Sequence, residues 1–427
     1  MMHEWFRNAK LGIFIHWGIY AVKGVSESWS FYHGSISYKD YMDQLKGFTA
    51  SKYDPQAWAQ LIKDSGAKYS ILTTKHHDGV ALWNTKANNL STLRSPAGRD
   101  LLTPWVKAIR EQDIKVGLYF SLLDWSNPDY YSVLPENDLP TEYRKYTYDF
   151  TQNEEEDFQA WERFLNSNEI QLKELSQYNP DLLWFDGDWW RSANQWRASE
   201  LRDKLHKWNP GLIINSRFQG YGDYDTPEQG IPITRPKRAW EFCITINDNW
   251  GFRHSDTNFK SPEQVIKIFI ETIAMGGNML LDIGPREDGT IPIEEQEVLK
   301  ELGIFIKRNE EAIYYTRMGL PYGHTYAPTT LSKDKKTLYY YHFGNIQKDI
   351  FIKGIFAKIK KITYKDTTEI KFNMLGGADW NNIPGILWFD IDREEKIEKH
   401  ATVIKIELEE PLRLYRKAGQ AIDNNEG

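Results

Sequence analysis

Short apolar runs alternate with helical patterns from residue 11 to about 315. The runs are "LGIFIHWG" (11–18), "KYSILTTKHH" (68–77), "KVGLYFSLLDW" (115–125), "DLLWFDGDW" (181–189), "GLIINSR" (211–217), "AWEFCITI" (239–246) and "GNMLLDIGP" (277–285). Strands separated by helices predict βα units and a parallel sheet. Seven or eight such units suit a (β/α)8-like TIM barrel, regular or not.

The helical stretches carry their own punctuation. "YDPQAWAQLIKDSGAK" opens on Asp54 and Pro55 and stops at Gly66, as an N-cap, a first-turn proline and a glycine stop dictate. "EEEDFQAWERFLNSNEIQLKELSQYNP", "SPEQVIKIFIETIAMGGN" and "IEEQEVLKELGIFIKRNEEAIY" read the same way. After Gly319 the texture changes to β-rich alternations such as "KTLYYYHFG", "KDIFIKG", "GILWFDID" and "TVIKIEL". These predict an antiparallel β-sandwich. The expected organisation is a catalytic barrel over 1–318 and a sandwich over 319–427, ending in a loose tail.

Composition narrows the partners. The net charge is -7, from 60 acidic and 53 basic residues without a long basic block, which disfavours nucleic acid. The start, "MMHEWFRNAKLGIFIHWG", holds neither a signal-peptide core nor a spanning helix, so no membrane insertion is expected. It begins almost inside the first strand, which suits either a cytoplasmic chain or a periplasmic or secreted one whose leader was removed. One cysteine, Cys243, excludes an internal disulfide. Oligomeric state stays open at this level. The 17 tryptophans and 24 tyrosines hint at carbohydrate, because flat rings suit the C–H faces of sugars and their polar edges suit hydroxyls.

In a barrel of this kind, chemistry gathers at the carboxyl ends of the strands. There the sequence offers His16, His76 with His77 and Asp78, the stretch Tyr119 to Asp124, Asp186 with Asp188, and Arg217. Adjacent residues of a strand point to opposite faces, so His76 and His77 could share a metal only if the chain bends between them. Hydrogen bonding to a substrate is the preferred reading for these histidines, ahead of a metal site and of structural histidines.

Seven stretches in order resemble the α-L-fucosidases of glycoside hydrolase family 29. They are "KLGIFIHWGIYAV" (10–22), "GAKYSILTTKHHDGVALW" (66–83), "GLYFSLLDW" (117–125), "NPDLLWFDGDWW" (179–190), "DYDTPEQGIP" (223–232), "WEFCITINDNWGF" (240–252) and "GGNMLLDIGPREDGTIP" (276–292). The resemblance implies retaining hydrolysis of terminal α-linked L-fucose from a fucosylated oligosaccharide or glycoconjugate, without metal or organic cofactor. It implies Asp186 as the nucleophile, in the W-x-D pattern of Trp184-Phe185-Asp186. Strand alternation agrees, since Trp184 and Asp186 share a face and Gly187 is expected to end the strand before Asp188.

For the acid/base, Glu228 in Thr226-Pro227-Glu228 matches the family's loop after an N-x-R strand end, here Asn215-Ser216-Arg217. Glu241 is the competitor and is expected to play a supporting part. By the same resemblance His16, His76 and His77 bind sugar hydroxyls, and Arg217 contacts the substrate. Glu27 and Trp29 approximate a family E-W pair, although Ser28 separates them. Trp184 and Trp250 wall the C6 methyl, and Tyr119, with Phe120 as an equally literal alignment, lines the substrate. The rivals are an α-L-galactosidase on the same scaffold, a metal-dependent hydrolase and a non-catalytic glycan-binding protein. Two long stretches, 122–150 and 217–238, are expected to shape the leaving-group side.

Overall fold

All seven expected strands form, each within its apolar run. They are β1 (Leu11–Ile15), β2 (Tyr69–Lys75), β3 (Lys115–Ser121), β4 (Leu182–Asp186), β5 (Ile213–Ile214), β6 (Glu241–Thr245) and β7 (Asn278–Ile283), hydrogen-bonded in the order β5-β4-β3-β2-β1-β7-β6 and parallel throughout. The computed structural model describes residues 3–130, 154–189, 191–364 and 367–417. Trp190 and most of the stretch 122–150 lie outside the described residues. β1, β2, β4, β6 and β7 are buried at every position, because a parallel sheet is covered on both faces. That burial is why these strands read as unbroken apolar runs.

Period-two alternation decides what points inward. Phe14, Ile71, Tyr119, Trp184, Cys243 and Leu280 meet in one interior cluster. The positions one step further on β1, β4 and β7 are His16, Asp186 and Asp282, so polar groups crown an apolar core.

The sheet closes through an irregular segment between β5 and β6. Residues 223–229 make isolated parallel bridges to both neighbours, Asn215 to Tyr224 on one side, and Asp225 to Trp240 and Glu228 to Cys243 on the other. Backbone bonds from Asp225 N to Ala239 O (2.8 Å), Cys243 N to Pro227 O (3.1 Å) and Gln229 N to Cys243 O (3.0 Å) fix it there. Pro227 has no N–H to give, so a continuous ladder cannot form on both sides. Gly222 lets the segment in: a Cβ there would lie 1.9 Å from the Asn215 carbonyl oxygen.

Helices follow the expected punctuation. Over Pro55–Asp64, the Asp54 carboxylate accepts from the N–H groups of Gln56 and Ala57, both at 3.0 Å, and Gly66 turns left-handed at φ +88°. Helices Leu102–Glu111, Glu154–Ser176, Ala198–Trp208, Pro262–Ala274 and Ile293–Arg308 complete the alternation. No helix among the described residues is long and apolar enough to cross a membrane.

Contacts divide the chain into two compact units, Met1–Pro262 with Asn278–Ile304, and Glu263–Gly277 with Phe305–Gly427. Among the described residues the second unit holds nine strands: β8 (Arg317–Met318), β9 (Thr329–Leu331), β10 (Thr337–His342), β11 (Gln347–Lys353), β12 (Ile359–Tyr364), β13 (Glu369–Ile370), β14 (Phe372–Leu375), β15 (Ile386–Ile391) and β16 (Thr402–Leu408). They make two antiparallel sheets, β13-β12-β16-β10-β9-β8 and β11-β15-β14. Ile404 and Ile406 from one sheet meet Ile350, Leu387 and Phe389 from the other in a shared core, which makes the pair a sandwich.

Candidate active site

β4 ends on Asp186, and Gly187 after it is left-handed at φ +80°, where a Cβ would strike Leu123. The chain therefore turns at Gly187 and sends Asp188 elsewhere. Asp188 Oδ2 accepts the Gln219 N–H at 2.7 Å, and its backbone carbonyl accepts from Trp196 Nε1 and Gln219 Nε2. It anchors the turn after Arg217, whereas Asp186 faces the interior.

Asp186 is held from two sides. Tyr119 donates its hydroxyl to Oδ2 at 3.0 Å, and Arg217 donates to Oδ1 at 3.0 Å. The other terminal nitrogen of Arg217 bonds Glu228, so one guanidinium joins both candidate carboxylates. Burial works against the charge of Arg217, but Asp186 and Glu228 overcome it and raise its pKa above the ordinary value. The guanidinium also lies 4.5 Å over the Trp184 ring, a cation–π contact in a desolvated setting.

The two candidate acids differ in exposure. The Glu228 side chain is 37% exposed, on the segment that closes the sheet. Glu241 is fully buried and accepts from Tyr69 Oη (2.6 Å) and Trp184 Nε1 (2.9 Å), and burial lifts its pKa to about 7. Glu241 thus fastens the indole beneath Asp186 and does not border the cavity.

That cavity, about 250 Å³, is lined by His16, Glu27, Trp29, His76, Tyr119, Trp184, Asp186, Arg217, Glu228 and Trp250, with Phe14 and Trp189. It is smaller than the ~300–1,000 Å³ that drug-sized ligands occupy, and suits one sugar ring. Of the eleven residues picked from the sequence only His77 is not on its wall, yet His77 Nε2 lies 3.7 Å from Asp186 Oδ2. Tyr119, not Phe120, faces Asp186; Phe120 packs on the opposite side of β3 against Phe185 and Lys75.

A register shift between Thr73 and Lys75 explains the paired histidines. A bulge there bends β2 just before His76 and His77, and their ring centroids come within 4.3 Å. All three imidazoles are tied back through Nδ1: His16 to Asp282 Oδ1, His76 to Ser28 Oγ and His77 to Ser121 Oγ, each at 2.6 Å. Burial pushes all three pKa values down, that of His77 to about 3. Neutral rings with Nδ1 engaged leave Nε2 for other partners. Among the described residues no group of three or more His, Cys, Asp or Glu side chains is placed to hold a metal ion.

Ser28, the residue that splits Glu27 from Trp29, turns away to reach His76, and so both flanking side chains can line the cavity. Burial lifts Glu27 to about 7, although it accepts the Gly251 N–H. Phe14, Trp184 and Trp250 form an apolar wall, with Phe14 centroids 5.0 Å from Trp184 and 6.1 Å from Trp250. The sequence reading left Trp189 unassigned; it is 43% exposed at the cavity, its ring parallel to Trp29 at 6.4 Å.

Comparisons with known proteins identify the family and the fold. The α-L-fucosidase family pattern matches residues 1–311. An α-L-fucosidase of Branchiostoma floridae is 32% identical over 348 residues, covering 74% of this chain and 72% of that one. The structure of α-L-fucosidase isoenzyme 1 from Paenibacillus thiaminolyticus superposes with a TM-score of 0.84 at 30% identity, covering 95% and 98% of the two chains. A glycoside hydrolase family 29 fucosidase from Bacteroides thetaiotaomicron, trapped as a covalent intermediate with 2-fluoro-fucosyl fluoride, superposes at 0.81 with 27% identity, covering 94% and 95%. With a matching pattern over most of its length and the same barrel and sandwich, the chain belongs to the α-L-fucosidase family, glycoside hydrolase family 29.

Proposed function

We propose that this protein releases terminal α-linked L-fucose from fucosylated glycans with retention of configuration, using Asp186 as nucleophile and Glu228 as acid and then base. The observation that carries the assignment is the single guanidinium of Arg217 bonded to both carboxylates beside an aromatic pocket of one-sugar size. In the first step an Asp186 oxygen attacks the anomeric carbon, the glycosidic C–O bond breaks, and Glu228 gives its proton to the departing oxygen. In the second, Glu228 takes a proton from water, whose oxygen displaces Asp186 and frees fucose.

Arg217 suits both steps. Before attack Asp186 is ionised and Glu228 protonated; afterwards Asp186 is esterified and Glu228 ionised. The trio keeps the same net charge, and the guanidinium favours whichever carboxylate carries it. His16, His76 and Glu27 would read the hydroxyls, while Phe14, Trp184 and Trp250 would enclose the methyl. A hydroxylated C6 would find no polar partner on that wall.

The test is hydrolysis of an aryl α-L-fucoside, with the first-formed sugar anomer read by proton NMR. Release of α-L-fucose supports the reading. β-L-Fucose as first product, or faster hydrolysis of the corresponding α-L-galactoside, would overturn it.

A further inference from the structure

Ser121 is the last residue of β3 and pairs in register with Asp186. Its Oγ donates to the Leu123 carbonyl at 2.6 Å and lies 2.6 Å from His77 Nδ1. A hydroxyl has one hydrogen, and a carbonyl can only accept. With that hydrogen given to Leu123, Ser121 meets the imidazole as an acceptor, so Nδ1 must carry the ring hydrogen. The ring is neutral, since burial and the nearby charges of Lys75 and Arg217 hold its pKa near 3. Nε2 therefore presents a bare lone pair.

This Nε2 is buried and has no hydrogen-bond partner among the described residues. At 3.7 Å it is beyond hydrogen-bond reach of Asp186 Oδ2. An unmet buried acceptor is costly, which fits a group whose partner arrives with the substrate. The opposite tautomer would aim an N–H at the nucleophile and draw off its charge.

We propose that Ser121 is a positioning residue that fixes His77 in the Nδ1–H tautomer, so that Nε2 accepts a hydrogen bond from the sugar hydroxyl next to the reacting carbon. The inference rests on the reading of the site as a fucosidase. The nucleophile's oxygen must meet the anomeric carbon, and the ring oxygen carries no hydrogen. The donor closest to both Asp186 and Nε2 is then the 2-hydroxyl. As positive charge builds on the anomeric carbon this hydroxyl becomes more acidic, and its bond to Nε2 tightens in the transition state.

The experiment combines nitrogen NMR of 15N-histidine-labelled enzyme with kinetics of Ser121→Ala. The His77 signals are assigned by their loss in His77→Gln. In the wild type, Nδ1 is expected to be pyrrole-like and Nε2 pyridine-like near neutral pH. In Ser121→Ala the Nε2–H form should appear, and kcat/KM on an aryl α-L-fucoside should fall about tenfold. On the matching 2-deoxy fucoside the same variant should lose less than ~2-fold, because the hydrogen bond is already missing. Ser121→Thr, which keeps the hydroxyl, should restore the tautomer. A wild-type ring protonated at Nε2, or equal losses on both substrates, would overturn the proposal. A wild type inert towards both fucosides would instead sink the functional reading, and the tautomer would still be read from the nitrogen shifts.

Discussion

The carboxyl of Asp282 lies 2.6 Å from His16 Nδ1, with both side chains buried. Burial drives the imidazole pKa down and the carboxyl pKa up, so the pair holds one proton without net charge. When unfolded, the two groups titrate near 6.5 and 3.8. Between those values folded and unfolded chains carry the same proton count on the pair, and its contribution to stability is level. Above 6.5 the unfolded pair loses a proton that the folded pair keeps, so stability is lost as pH rises. Asp282→Asn should flatten that alkaline decline in the urea midpoint. Its amide can still bond Nδ1, so kcat/KM should fall less than tenfold, whereas Asp282→Leu should lose up to ~100-fold.

Three buried glutamates predict the pH response of the whole fold. Burial raises Glu27 and Glu241 from 4.5 to about 7 and Glu295 to about 8. Each keeps its proton when folded at a pH where the unfolded chain has released it. Their stabilisation is complete below 4.5 and is lost as pH rises through 7 to 8. His76 and His77 oppose them only below 6.5, where the unfolded imidazoles charge. The denaturation midpoint should therefore drop between pH 6.5 and 8; a midpoint rising over that range would contradict these protonation states.

Asp186 and Asp188 should separate cleanly. Asp186→Gly should cut kcat by at least ~1,000-fold with the fold intact, and azide should recover part of the rate as a substitute nucleophile. Asp188→Ala should lower Tm by loosening the Gln219 turn behind Arg217, reduce kcat/KM by about tenfold, and gain nothing from azide. Azide rescue of the Asp188 variant would reverse the assignment.

Much of this was legible in the chain. Parallel strands buried on both faces leave continuous apolar runs, and all seven were visible as such. The closing segment was not, because 223–229 is polar, contains Pro227 and pairs only through isolated bridges. The W-x-D resemblance at Trp184-Phe185-Asp186, with strand alternation in agreement, singles out Asp186 in the sequence. Asp282 gave no signal, since in "NMLLDIG" it reads as one polar residue in a core strand and its partner His16 is 266 positions away. Ser121 was hidden in the same way, inside a strand end that held several polar candidates.

Glu228 and Glu241 should differ by leaving group. Glu228→Ala should slow hydrolysis of poor leaving groups by at least ~100-fold and spare activated aryl fucosides, where no proton need be given. Glu241→Gln should instead lower Tm and slow all substrates alike, because it disturbs the Tyr69 and Trp184 bonds. The reverse pattern would make Glu241 the acid.

Trp189 stands parallel to Trp29, at an interplanar angle of 11°, on the wall that also holds Glu228. A sugar on the leaving side would meet this half-exposed indole at the cavity mouth. Trp189→Ala should raise KM for fucosylated oligosaccharides about 5- to 10-fold, through loss of roughly 1 kcal/mol of stacking. KM for a small fluoride donor should not move.

Among the described residues, the stave that closes the barrel is held by isolated bridges, and it carries Glu228. Asp186, His16, His76, Tyr119 and Trp184 instead stand on buried strands or directly after them. Changes in the mostly exposed loop 230–238 that follows Glu228 can therefore accumulate without unsettling the grip on the sugar. A lineage built on this plan is free to explore new glycan linkages while its choice of fucose stays inherited.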